Sequence, residues 1–149
     1  MKNRIVLITG GASGIGKAMV RMFADRGCQV IIFDVQDDKG EVLAKELCDQ
    51  RKKVVYKHVN LFDIDEIKSA YIWIKEQFGK LDYAMNNAGF GIPAKPLDEC
   101  TSEEVNKVIG ICLIAVTNCM IEEIKIMKEN GFGRIVNTTS GAGLLGVKG

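Results

Sequence analysis

Glycine residues cluster in one turn near the start of the sequence. Residues 9–16 read Thr-Gly-Gly-Ala-Ser-Gly-Ile-Gly, directly after an apolar run and directly before a helical pattern. Glycine permits a tight turn and lets a ligand approach the main chain, and a helix N-terminus attracts anions. The pattern predicts a phosphate-binding turn, and a plain glycine-rich turn is the alternative. The residues expected around the phosphates are Gly10, Ser13, Gly14, Ile15 and Gly16.

A carboxylate closes the next apolar run. Asp34 follows Ile-Ile-Phe and stands 18 residues after Gly16, near the spacing at which a dinucleotide fold places the acid that binds the adenosine ribose. Such a carboxylate would accept hydrogen bonds from the ribose hydroxyls and repel a 2′-phosphate. Because neither Ser13 nor Val35 supplies a positive charge, the sequence predicts NAD and disfavours NADP. The alternative is a solvated aspartate at a strand end.

Short β-branched runs alternate with longer segments of helical period, which is typical of a parallel sheet with helices on both faces. The predicted strands are 4–9, 29–33, 54–59, 81–85 and 134–138. The predicted inward faces of two helices are Ile15, Ala18, Met19, Met22 and Phe23, and Ile67, Ala70, Tyr71, Ile74 and Phe78. The expected fold is therefore of the α/β class: a doubly wound, Rossmann-like parallel sheet in three layers, within one domain over 1–149.

A long helix is predicted from Thr101 to about Lys128. It opens with Thr-Ser-Glu-Glu, a capping box, and its middle is apolar on every side. A helix of that kind is covered on every side, so part of it should meet a partner or a missing segment, and we expect a homo-oligomer, a dimer or larger. Its predicted inward face is Val105, Val108, Ile109, Cys112, Val116, Cys119, Met120 and Met127.

Composition excludes several classes of partner. Twenty basic against nineteen acidic residues, with no dense cationic run, disfavour nucleic acid. The longest weakly polar stretch, 108–117, is too short for the roughly 20 residues that a membrane span needs. Five cysteines without a CxxC pair are typical of free thiols in a reducing compartment. A soluble cytoplasmic protein without a metal site is expected.

Three motifs together resemble a known family. The glycine turn at 9–16 is followed by Asn-Asn-Ala-Gly at 86–89 and by Ile-Val-Asn-Thr-Thr-Ser at 135–140. In this order and at these spacings, the chain resembles the classical short-chain dehydrogenases/reductases over its whole length. The resemblance implies an oxidoreductase that transfers hydride between a nicotinamide cofactor and a small-molecule alcohol or carbonyl compound.

The resemblance also implies roles for individual positions. Asn60 would contact the adenine, with the backbone of Leu61 beside it; relatives usually have aspartate at Asn60, and asparagine keeps an acceptor oxygen. Asn86 would tie the central strands together. A strand-to-loop exit is the alternative interpretation of the second motif. The residues expected along the cofactor are Asn87, Ala88 and Gly89.

Two further positions correspond to the family's catalytic groups. Ser140 matches the serine that hydrogen-bonds the substrate, and a turn serine before Gly141 is the alternative. Cys112 stands where relatives have an asparagine that helps to hold a proton-relay water. Because a thiol is a weak hydrogen-bonding group, the relay is in doubt here, and by itself Cys112 is more simply interpreted as a small core residue on the helix face.

The family's proton donor is a tyrosine with a lysine four residues later, which follows the serine by roughly a dozen residues. Only nine residues follow Ser140, so we expect a chain truncated after the fifth strand that lacks this pair and is inactive by itself. Tyr71 and Lys75 match the bare spacing but precede the serine, and Tyr71 is predicted to be a packing residue. His58, the only histidine, is expected to be structural.

Two functions remain open from the sequence. One is an NAD-dependent alcohol or carbonyl oxidoreductase of which these residues form the first part. The other is a non-catalytic dinucleotide-binding or interaction module. Cofactor binding is common to both, whereas the encoded sequence after Gly149 separates them. The substrate is not readable from these residues, because the family places most of its substrate-binding segments further along the chain.

Overall fold

The computed structural model describes residues 1–145 and has five parallel strands. The three central strands are short, mainly apolar runs that are buried on both faces of the sheet, whereas the two edge strands contain charged residues and are partly exposed. The strands are β1 (Ile5–Thr9), β2 (Gln29–Asp34), β3 (Lys53–His58), β4 (Tyr83–Asn86) and β5 (Arg134–Asn137). All five lie within two residues of their predicted positions.

Helices connect successive strands. They are α1 (Gly14–Asp25), α2 (Asp37–Asp49), α3 (Ile64–Phe78), α4 (Ser102–Ile109) and α5 (Val116–Glu129). The π-helical segment Gly110–Ala115 joins α4 to α5, so the predicted single long helix is continuous but contains a change of helical type. Among the described residues no helix is long and apolar enough to cross a membrane.

The strand order is β3-β2-β1-β4-β5. The chain first winds outward from β1 through β2 to β3 and then returns to the other side of β1 to form β4 and β5. The fold is therefore the predicted doubly wound α/β sheet, and its order reverses between β1 and β4. In sheets of this kind ligands bind at the carboxyl ends of the strands beside that reversal.

Two apolar cores cover the two faces of the sheet. Val6 and Ile8 of β1 face a core that includes Val20 and Phe23 of α1. Leu7, between them, faces the other core with α3 and α5, because successive side chains of a strand point to opposite faces. This arrangement gives three layers, α/β/α. Because the strands are parallel, their carboxyl ends lie along one edge of the sheet.

The predicted inward face of α1 is wrong in part. Ile15 and Met22 are exposed, whereas Gly16 and Val20 are buried along with Phe23. The buried face of α1 is set by Gly16, which has to lie directly against the glycine turn. The predicted face of α3 is confirmed, since Ile67, Ala70, Tyr71 and Ile74 are buried.

The predicted inward face of the long helix is also wrong in its first half. Val105, Ile109 and Cys112 are exposed, and Ile111 and Ala115 are buried instead. A π-helical turn uses one extra residue per hydrogen-bonded ring, so it rotates the buried face relative to a regular α-helix. The predicted capping box is present between Thr101 and Glu104.

Candidate functional site

A cleft of about 1030 Å³ opens at the carboxyl ends of the strands. It lies beside the reversal of strand order, where the sheet geometry leaves space between the loops after β1 and β4. The cleft is lined by Gly10, 13–15, 33–36, 59–62, 87–91, Ile111, Cys112, Val116, 138–140 and Gly143. Every predicted site residue except Gly16 is on this list, and Gly16 lies directly behind the turn.

The turn after β1 is packed without space for a side chain. Gly10 has φ +66°, and a Cβ there would lie 2.9 Å from Ala88 Cα. A Cβ on Gly16 would overlap the carbonyl oxygen of Gly10. These contacts explain why glycine occupies both positions, and they bring the first turn of α1 close to the loop after β4.

The N-terminus of α1 differs from those of α3 and α4. Asp63 and Thr101 cap their helices with side-chain hydrogen bonds. Ser13, the N-cap of α1, makes no such bond, and the first turn of α1 contains no acidic residue. The first amides of a helix have no partner within it. The amides at this end, beside the cleft, are therefore available to an external anion. The turn therefore fits a diphosphate.

Asp34 is held against the glycine turn. Its Oδ2 accepts a hydrogen bond of 2.9 Å from the Ala12 amide. Its Oδ1 accepts from the amides of Val35 and Gln36 at 2.8 and 3.1 Å and from Gln36 Nε2 at 3.3 Å. Since a carboxylate offers about four acceptor sites and Oδ2 has one donor, Oδ2 retains acceptor capacity toward the cleft. The geometry fits a ribose hydroxyl at this edge.

The loop after β4 is tied to the end of β1. Thr9 is buried, and its Oγ1 accepts hydrogen bonds from the amides of Asn87 and Ala88 at 3.0 and 3.1 Å. Asn87 Nδ2 donates to the carbonyls of Thr9 and Gly10 at 3.2 and 3.4 Å. One hydroxyl and one amide thus fix both walls of the cleft at the reversal of strand order.

We expect Thr9→Val to lower the free energy of unfolding by about 2 to 6 kcal/mol, because two backbone amides lose their shared acceptor at about 1 to 3 kcal/mol each. Thr9→Ser keeps the hydroxyl and loses one methyl group, at about 1 kcal/mol. Urea unfolding followed by circular dichroism measures both. Equal losses in the two variants would contradict the role assigned to Thr9 Oγ1.

Asn60 is half-buried at the end of β3 and forms a local turn. Its Oδ1 accepts a hydrogen bond from the Phe62 amide at 3.1 Å, and its backbone amide donates to Glu66 Oε2 at 2.7 Å. The acceptor oxygen expected to reach the adenine is therefore already partly used, while Nδ2 remains a free donor among the described contacts. Leu61 lies beside it on the wall of the cleft.

Ser140 and Cys112 lie on the other side of the cleft. Ser140 Oγ accepts a hydrogen bond of 3.2 Å from the Ala142 amide, so it caps a short turn and keeps its own proton free to donate. Both interpretations of this serine are thus compatible with its position. Cys112 Sγ lies 3.5 Å from the Phe90 carbonyl oxygen in the π-helical segment, and it is an exposed wall residue instead of a core residue.

The cleft also has an aromatic part, which the sequence motifs did not predict. Phe62 and Phe90 are exposed, line the cleft and contact each other with ring centroids 6.4 Å apart. They come from the loops after β3 and β4. Each directly adjoins a predicted site segment, so adjacency to Leu61 and Gly89 was the available signal.

The two side chains set aside on sequence grounds lie outside the cleft. Tyr71 is fully buried in α3, and its hydroxyl donates to Glu123 at 2.8 Å. His58 Nδ1 lies 2.7 Å from Asp37 on the surface. Within residues 1–145, no group of three His, Cys, Asp or Glu side chains could hold a metal ion.

A family model described as short chain dehydrogenase matches residues 4–149. The chain is 36% identical over 141 residues to "Short-chain dehydrogenase reductase 3b" of Arabidopsis thaliana, and the match covers 94% of this chain and 54% of the relative. It is 32% identical over 143 residues to "3beta-hydroxysteroid dehydrogenase" of Mediterraneibacter gnavus, with 96% and 51% covered. The chain thus spans about half the length of the curated relatives it matches.

Solved structures share the same architecture. A short chain dehydrogenase/reductase from Burkholderia phymatum in complex with NAD superposes with a TM-score of 0.93 at 26% identity, covering 99% of this chain and 52% of that one. A metagenomic short-chain oxidoreductase in complex with NADP has the same TM-score at 24% identity, covering 99% and 66%. The second likeness concerns the fold alone. One neighbour contains NAD and the other NADP, so the pair does not discriminate between the cofactors.

Proposed function

This chain belongs to the short-chain dehydrogenase family, and on that premise we propose that it forms the NAD-binding part of an alcohol or carbonyl oxidoreductase. The observation that carries the proposal is the hydrogen bond between the Ala12 amide and Asp34. It joins a phosphate-binding turn to a ribose-binding carboxylate on one wall of one cleft. Within this proposal residues 1–149 act as a single dinucleotide-binding domain that lacks the family's C-terminal part.

In this proposal the described residues divide the cofactor between them. The amides of 10–16 hold the diphosphate, and Asp34 holds the adenosine ribose and disfavours a 2′-phosphate. Asn60 and Leu61 border the adenine. Asn87, Ala88 and Gly89 lie along the cofactor toward its nicotinamide end. The bound nicotinamide supplies the hydride acceptor or donor.

Ser140 and Cys112 serve the reacting end in this proposal. The Ser140 hydroxyl keeps its proton free and orients the substrate oxygen by a hydrogen bond. The Cys112 thiol is too weak a partner to hold a relay water firmly, so we propose that the backbone of the π-helical segment carries more of that task. An efficient hydride transfer also needs a positioned proton donor, which in the family is a tyrosine, and the sequence from 141 to 149 contains no tyrosine.

We expect the 149-residue chain to bind NADH and yet to oxidise none of it with aldehydes, ketones or ring ketones. The measurement is the absorbance of NADH at saturating cofactor. Robust turnover by the purified chain would overturn the proposed inactivity. For the whole protein, we expect the encoding DNA to continue past codon 149 into a tyrosine and, four codons later, a lysine.

Self-association is also proposed. Ile109, Leu113, Ile114, Ile121 and Ile124 are each more than 40% exposed along α4, the π-helical segment and α5, and an apolar surface of this kind favours association. Gel filtration should give a mass of at least twice 16.4 kDa. A monomer that binds no hydrophobic dye would contradict the proposal.

A further inference from the structure

Glu123 of α5 is a fully buried carboxylic acid that the proposed chemistry does not use. Its side chain has no solvent exposure and lies between α3 and β4. Burial raises the pKa of Glu123 to about 7, against the opposing effects of hydrogen bonds from Tyr71 and Asn86. A lone acid in an apolar core is costly, so its partners determine what the group can do.

Both oxygens of Glu123 accept hydrogen bonds from neighbouring elements. Oε1 accepts from the Tyr71 hydroxyl at 2.8 Å, and Oε2 accepts from Asn86 Nδ2 at 3.1 Å. Asn86 Nδ2 also donates to Asn137 Oδ1 at 3.0 Å. The two protons of one amide group thus link the acid to the paired ends of β4 and β5.

This link lies directly behind the cleft. Asn86 is the last residue of β4 and precedes Asn87, which reaches the glycine turn through Thr9. Asn137 is the last residue of β5, three residues before Ser140. Any change in the contact between Asn86 and Asn137 therefore acts on both strands from which the nicotinamide side of the cleft is built.

We propose that Glu123 is a positioning residue for the cofactor site, which acts through the hydrogen bonds of Asn86 to hold the ends of β4 and β5 together. The inference rests on the proposed function, because its effect is on dinucleotide binding. Glu123 itself touches neither the cleft nor its ligand. Its ionised form accepts both hydrogen bonds and strengthens them by its charge.

A proton on Glu123 Oε2 would point at Asn86 Nδ2, which is also a hydrogen-bond donor, so the existing hydrogen bond would be lost. The Asn86 amide would have to turn over and present its buried Oδ1, which makes no hydrogen bond in the described structure. That rotation gives Oδ1 a partner but takes Nδ2 away from Asn137. Protonation at Oε2 breaks the link between β4 and β5 in this way, and protonation at Oε1 weakens it by removing the charge that strengthens the bond from Asn86. NADH affinity should therefore fall as the pH falls through 7.

The other titratable groups facing Glu123 stay protonated in this pH range. Burial raises the pKa of Tyr71 on α3 well above its usual value and that of Cys119 on α5 to about 12. The sheet contributes only the uncharged amides of Asn86 and Asn137. Glu123 is thus the group of this network that exchanges its proton near neutral pH.

Thermal stability should change in the opposite direction. The folded pKa of Glu123 lies above its unfolded value, so its contribution to stability is fully present below about pH 4.5 and is lost as the pH rises through 7. A purely structural acid would move stability in this way and leave NADH affinity unchanged. Opposite trends of melting temperature and affinity distinguish a positioning role.

The test is NADH binding, followed by nicotinamide fluorescence from pH 5.5 to 8.5 at constant ionic strength. We expect the unmutated chain to bind about fivefold more tightly at pH 8 than at pH 6, and Glu123→Gln to bind with no pH dependence. Tyr71→Phe removes a hydrogen bond that favours the ionised acid, so the midpoint of the profile should move to higher pH. Tyr71→Phe also tests the inference if Glu123→Gln folds poorly.

His58→Gln is the matched control, since His58 is the only histidine and lies on the surface against Asp37. It should retain the profile of the unmutated chain. A profile that is flat in the unmutated chain, or that survives in Glu123→Gln, would overturn the inference while leaving the proposed function intact. Failure of every variant to bind NADH at any pH would overturn the proposed function and this inference with it.

Discussion

Gly16→Ala should reduce NADH affinity about ten- to hundredfold. The added Cβ would overlap the Gly10 carbonyl oxygen and lie 2.8 Å from Asn87 Nδ2. Relieving that overlap moves either the turn or the start of α1, and both are needed to aim amides at the diphosphate. Overpacking of this kind costs about 1 to 3 kcal/mol, and each 1.4 kcal/mol corresponds to about tenfold in affinity.

Gly91→Ala is the control for this prediction. Gly91 lines the same cleft, and a Cβ there would meet nothing within 4 Å. Titration calorimetry with NADH compares the three proteins, and thermal unfolding tests whether each is folded at the temperature used. A folded Gly16→Ala variant with unchanged NADH affinity would contradict the binding role assigned to the glycine turn.

Asp34 should make the unmutated chain prefer NADH over NADPH by about thirtyfold. A carboxylate beside a 2′-phosphate near a protein surface is repelled by about 2 kcal/mol, which corresponds to that ratio. Asp34→Asn removes the charge and should bring the ratio close to one. Asp34→Arg should reverse the preference, because a guanidinium binds phosphate.

The ratio of the two affinities is the quantity to compare. Asp34 also accepts hydrogen bonds from the amides of Ala12, Val35 and Gln36. Every substitution of Asp34 therefore loosens the turn and lowers the affinity for both cofactors. Asp37→Asn is the control, since it removes the same charge from the exposed first turn of α2, outside the lining of the cleft. Equal or tighter binding of NADPH by the unmutated chain would contradict the role of Asp34.

The sequence predicted the sheet because its three central strands are buried on both faces. The residues 5–8 are apolar throughout and show no helical spacing, so the position of this strand was readable within two residues. The Rossmann-like order then followed from the alternation of strands and helices. The carboxyl ends of β1, β2 and β4 consequently brought Gly10, Asp34 and Asn87 to one cleft, as expected from their places in the chain.

Helix faces were less predictable where backbone geometry departs from a regular α-helix. In α1 the tight approach of Gly16 to Gly10 sets the rotation, so Val20 faces the core and Ile15 does not. In the long helix the π-helical segment turns Ile111 inward and Cys112 outward. Neither effect has a signature in the spacing of apolar residues.

The buried network around Glu123 was hidden for a different reason. A glutamate among helical charges is usually a solvated residue, and its partners Tyr71 and Asn86 lie 52 and 37 residues away in the chain. Only the packing of α5 on α3 and β4 brings the three together. Tyr71, predicted to be a packing residue, is therefore a hydrogen-bond donor as well.

In the proposed function, one cleft holds a dinucleotide between the glycine turn and Asp34. A crystal structure of the 149-residue chain with NADH tests it most directly. We predict the diphosphate at the amides of residues 10–16 and a ribose hydroxyl within 3.2 Å of Asp34 Oδ2, an ordinary hydrogen-bond distance. A dinucleotide bound elsewhere, or a diphosphate without contact to those amides, would contradict the account.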